Sequence, residues 1–153
     1  MQGIDTRELR ELDEKLSDLL KRMPEKRRGL HERLGTEAKA LVDSAIGGEG
    51  TVQGWQEKHI GSRGGYAAIR PKKGYVSTKK GKTYAYGYIT NALENGHRTR
   101  GPSGTAKRHR LTRAEHVSVS GKHFYSAART NLETKALKLA EEFLDEAARE
   151  LEG

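Results

Sequence analysis

The sequence predicts an α+β fold: two N-terminal helices, a small antiparallel β-sheet carrying an inserted short helix, and a long C-terminal helix packed on that sheet. Three observations predict it. Apolar residues recur at three- and four-residue spacing near both ends of the chain. Short alternating and aromatic runs, broken by turn residues, fill the middle. Fourteen of the eighteen glycines fall within residues 47–122, where helices are not expected. The 153 residues fit one domain, divided into a helical arm (1–46), a basic glycine-rich sheet region (47–122) and a terminal helix (123–153).

The first helix follows from Leu9, Leu12, Leu16, Leu19, Leu20 and Met23. Asp5 or Thr6 suits its N-cap, and Glu8 and Glu11 favour its opening turns. Pro24 ends or kinks it, and fits the first position of a second helix. That second helix reads Leu30, Leu34, Ala38, Leu41 and Ala45, and stops at Gly47-Gly48. Gly35 within it marks a place where another helix comes close. Thr51 to Ile60 and Tyr66 to Arg70 predict a hairpin across the Ser62-Arg63-Gly64-Gly65 turn. Residues 72–83, rich in lysine and glycine, predict a mobile loop. Tyr86 to Glu94 predicts a short helix ending at Asn95-Gly96, although Tyr84, Tyr86 and Tyr88 also have strand spacing. Residues 98–114 predict a second mobile basic loop. His116 to Ser120 alternates as a strand, Gly121 turns, and the last helix runs from about Phe124 to Leu151.

Charge is unevenly spread. Residues 1–46 hold ten basic and ten acidic side chains, residues 47–122 hold fifteen and four, and residues 123–153 hold four and seven. A basic centre of this kind meets a polyanion such as nucleic acid, or the acidic surface of another subunit, or simply water. Hydrophobic and charged residues each make up 33% of the chain, so the core is modest. A chain of this length can bury about two thirds of its unfolded surface, and self-assembly would add burial that one copy lacks. The absence of cysteine excludes disulfides, thiol catalysis and thiolate metal sites. No apolar run approaches the roughly 20 residues that cross a bilayer. The opening MQGIDTRELRELDEK has no apolar signal core, so a soluble chain without a cleaved signal is expected.

Catalytic chemistry finds little foothold. Gly81-Lys82-Thr83 has the tail of a phosphate loop, but the position that needs the leading glycine is Val76. Gly48 to Gly54 is one residue too long for a dinucleotide fingerprint. Glu94 and His97 stand three apart, as in a carboxylate–histidine metal site, but Gly96 ends the helix between them and no second such pair exists. The reading preferred for them is structural, with Glu94 as a cap or ion-pair partner and His97 bonded to backbone at a corner. No nucleophile with a base is identifiable. No enzyme activity, metal or cofactor is expected. Lys72, Lys73, Lys79, Lys80, Lys82, Arg98, Arg100, Lys107, Arg108 and Arg110 are the candidates for contact with DNA or with the acidic surface of a neighbouring subunit. Tyr75, Tyr84, Tyr86 and Tyr88 could stack on bases.

One ordered set of residues carries a family resemblance. Tyr84-Ala85 is followed by Glu94, Gly96 and His97-Arg98, then by Gly121, His123 and Phe124 at the start of the last helix. Over roughly residues 28–150 the chain resembles the tail-component family of long-tailed bacteriophages, the tail-completion and head–tail joining proteins. It departs from that pattern at Asn95, where an aromatic is common, in the length of the arm from Gly101 to Thr112, and in having no proline before the last helix. The resemblance implies an architectural role: a virion protein of the neck or head-proximal tail end, assembled in the host cytoplasm as a six- or twelvefold ring with other neck and tail proteins. Packaged DNA in the channel would be a further partner.

Overall fold

The computed structural model describes residues 7–48, 51–98 and 118–152. Among the described residues there are three α-helices and three two-stranded antiparallel ladders. Helix α1 runs unbroken from Arg7 to Ile46 with Pro24 inside it. This corrects the expectation of two N-terminal helices. Proline removes one N–H, so the carbonyl of Leu20 loses its helical partner. Contacts from another helix hold the two sides together: Lys26 and Arg22 both ion-pair with Glu150, the latter at 3.3 Å. The N-cap candidates Asp5 and Thr6 lie outside the described residues.

Helix α3, Phe124–Glu152, runs antiparallel along α1. The order of the ion pairs fixes the direction. Glu37 meets Lys135 at 2.6 Å, Arg33 meets Glu142 at 2.7 Å, and Lys15 reaches the Leu151 carbonyl at 3.5 Å. The last helix was expected to pack on the sheet; it packs chiefly on α1. The reason lies in α1's length. Its 40 residues span about 60 Å, enough to back both α3 and a hairpin.

That hairpin pairs β1 (Gln56–Ile60) with β2 (Ala67–Pro71), from Gln56 opposite Pro71 to Ile60 opposite Ala67. A short 3₁₀ turn, Gln53–Trp55, precedes it where strand had been expected from Thr51. The hairpin lies across α1 at Gly35, where an added Cβ would stand 2.7 Å from Cδ of Lys58. The close neighbour at Gly35 is therefore a strand, and not a helix. Lys58 Nζ crosses the helix to bond Glu32 Oε2 and Thr36 Oγ1, each at 3.1 Å.

Residues 72–83 contain a second hairpin in place of a featureless loop. Strands β3 (Tyr75–Ser77) and β4 (Thr83–Ala85) pair in it, and Thr78 N bonds Lys82 O at 2.7 Å across the turn. β-Branched and aromatic residues build the strands, while Lys79 and Lys80 occupy the tip. Helix α2, Tyr86–Asn95, follows at once. The third ladder pairs β5 (Gly96–Arg98) with β6 (Ser118–Ser120). The core is small: Val42, Phe124 and Ala128, flanked by Leu41, Ile46, Ile69, Leu93 and Tyr125.

Candidate functional site: the corner between α2 and α3

Helix α2 ends on Gly96, whose φ of 78° only glycine adopts without strain. The chain leaves as β5 and returns as β6, and then crosses the end of α2 at Gly121. The crossing is a backbone-on-backbone contact. A Cβ on Gly121 would stand 2.8 Å from the carbonyl carbon of Asn95 and closer still to the Glu94 oxygen. A Cβ on Gly96 would stand 2.8 Å from the Gly121 nitrogen and closer still to the Val119 oxygen. Lys122 N then bonds Leu93 O at 2.8 Å, and His123 N bonds Glu94 O at 3.2 Å. The last carbonyls of α2 thus receive donors from the start of α3.

Glu94 answers from its side chain. Its Oε2 accepts from Tyr125 N at 3.0 Å and its Oε1 accepts from Ser126 N at 3.4 Å. A carboxylate at a helix N-terminus satisfies two orphan donors and sits favourably in the helix dipole. Glu94 is therefore a cap for α3 supplied by another element, in line with one of the two roles expected for it. His123, at φ 51°, opens the helix, and Ala127 N bonds its carbonyl at 2.9 Å.

Beneath the cap lies a buried polar network that the sequence had not singled out. Gln56 and Thr90 are both buried. The Gln56 amide donates to Val52 O at 3.2 Å and to Thr90 Oγ1 at 3.3 Å, and its Oε1 accepts from the Tyr125 hydroxyl. Trp55 stacks on Tyr86 with centroids 4.5 Å apart and planes within 10°. Gln56 opens a strand of ordinary composition, and its side-chain partners Thr90 and Tyr125 stand 34 and 69 residues away, so no local signal marks the network.

The Tyr125 hydroxyl is pushed up to about 12, first by burial and then by the nearby Glu94 charge. Its ordinary value is 10.0. Below that value the folded and unfolded chains are both protonated, and the contribution to stability is complete. Between 10.0 and about 12 the unfolded chain ionises while the folded chain holds its proton, so stability falls as pH rises. An absorbance titration of the six tyrosines should show one late ionisation. Tyr125→Phe should remove it; an unchanged late step in that variant would exclude the assignment.

The expected site residues divide. Glu94, Gly96, Gly121 and Phe124 come together at the corner, with Phe124 almost wholly buried at 1% exposure. His97 and Arg98 lie on β5 and are exposed. Tyr84 stands beyond the other end of α2, stacked on Tyr88 at 5.9 Å, and takes no part in the corner. Lys72, Lys73, Lys79, Lys80 and Lys82 are all exposed on and beside the β3–β4 hairpin. Arg100, Lys107, Arg108 and Arg110 lie outside the described residues, as does His116. Among the described residues no group of three or more His, Asp or Glu side chains could hold a metal ion, and no helix is long and apolar enough to cross a membrane. Comparison with protein-family models, with curated proteins and with solved structures found no match.

Proposed function

We propose that this chain is a virion structural protein of a tailed phage, a neck or tail-completion component that joins tail to head as part of a ring. The observation that carries this reading is the corner. Four of the residues that bear the family resemblance, Glu94, Gly96, Gly121 and Phe124, interlock there by backbone contact, capping and burial. Their arrangement is that of a rigid joint. A ring subunit needs such a joint, because the angle between its elements sets the rotation at which the ring closes.

A second reading, sequence-nonspecific nucleic-acid binding, is favoured by the β3–β4 hairpin. Its lysines stand in a stretch with no acidic residue between Glu57 and Glu94. Tyr75 and Tyr88 beside them are 71% and 66% exposed. The triple variant Lys79→Gln, Lys80→Gln, Lys82→Gln separates the two. If the hairpin faces packaged DNA, particles carrying the variant should join tails but lose genome. If it faces an acidic ring, joining itself should fail. Salt-dependent binding of plain duplex by the isolated chain would favour the second reading. In that case the variant should lower the salt slope by about 3 × 0.9. Assembly with tail proteins, without duplex affinity, favours the first.

A further inference from the structure

Four leucines near the start of α1 face water. Leu9, Leu12, Leu16 and Leu20 are 62%, 48%, 43% and 61% exposed. Their spacing of three, four and four residues places them on one stripe of the helix. Leu19, next to that stripe, is buried. The last turn of α3 reaches α1 at Lys15, so residues 7–14 project past the end of α3. The stripe is therefore an apolar face that the described fold leaves open.

Charge identifies the occupant. From Arg7 to Glu14, α1 carries two basic and four acidic residues; from Lys15 to Arg22, the stretch that the leucine register lays opposite, it carries three basic and one acidic. A second α1 laid parallel would set like charge on like. Laid antiparallel, it sets each acidic half on a basic one. The leucine spacing reads almost the same in reverse, so Leu9 would meet Leu20 and Leu12 would meet Leu16 about a twofold axis near Glu14. We infer that two copies of this chain pair antiparallel through the first half of α1, closing the leucine stripe in an isologous coiled contact. The pairing does not rest on the ring proposed above.

The purified full chain should weigh twice its 17.0 kDa by light scattering at about 10 µM. Leu12→Glu with Leu16→Glu should leave helix content unchanged, since both positions are at the surface, and should weaken pairing by roughly a hundredfold or more. The chain has no cysteine, so Glu8→Cys and Arg22→Cys can be made as separate single-cysteine variants. Mixed together with a short bis-maleimide, they should cross-link to each other. A single-chain mass for the unsubstituted protein would overturn the pairing. So would a double glutamate variant that stays dimeric, and cross-linking of Glu8→Cys only to itself would overturn its direction. An unsubstituted chain that is a monomer alone, and that still joins tails to heads in particles as well as the double glutamate variant does, would sink the pairing and leave the neck reading standing.

Discussion

Gly121→Ala should lower stability by about 3 kcal/mol or more and loosen the joint between α2 and α3. The new methyl would be driven into the Glu94–Asn95 peptide, which is main chain and cannot turn aside as a side chain could. Relief requires the start of α3 to move away from the end of α2. That movement breaks the bonds from Lys122 N and His123 N to the last α2 carbonyls, and draws Tyr125 N and Ser126 N away from the Glu94 carboxylate. Clash and lost caps therefore add. Gly29→Ala is the matched control. Gly29 lies within α1 with open space where a Cβ would be built, so alanine should stabilise by up to about 1 kcal/mol. Urea unfolding of the two variants checks both signs. A Gly121→Ala protein as stable as its parent would mean that the crossing is looser than the geometry gives.

Much of this joint was legible as punctuation. Asn95-Gly96 ends a short helix, Gly121 precedes another, and the observed bounds of α2 and α3 lie within a residue or so of those expected. The glycines announce that the backbone turns there. They do not announce that the two turns touch, because the contact spans 25 residues and depends on the ladder between them. Glu94 shows the same limit. A lone carboxylate at the end of one helix gives no hint that it caps another 31 residues on. Pro24 misleads for a related reason. Its local cost is fixed by covalent geometry, but whether a helix ends there depends on what lies alongside, and here Glu150 grips both flanks. Around the β3–β4 hairpin, five lysines, three of them within it, obscured two short runs of strand-forming residues. Charge describes where a segment faces, and strand pairing is decided by its neighbours.

Phe124→Ala should be the most damaging single truncation of a side chain, at about 3–5 kcal/mol. Phe124 is 1% exposed and, among the described residues, clusters with the buried Val42 and Ala128. The residues packed against that core come from several elements: Leu41 and Ile46 belong to α1, Ile69 to β2 and Leu93 to α2. A cavity at this place lies where α3 meets α1, β2 and α2, so collapse around it would have to move whole elements. Total stabilities of single domains run from about 5 to 15 kcal/mol, and a core this small belongs at the low end. Much of the variant should therefore be unfolded at 37 °C, with the Trp55 emission shifted toward that of exposed indole. Phe124→Leu retains most of the volume and should cost about 1–2 kcal/mol. The comparison also tests the architecture. Were α3 held mainly by its ion pairs with α1, the alanine variant would keep its fold and lose it only at high salt. The ion pairs from α3 to Arg33, Glu37 and Arg22 are all substantially exposed, and such pairs contribute about 0–1 kcal/mol each. One buried ring therefore outweighs them, and the alanine variant should unfold at low salt and high salt alike.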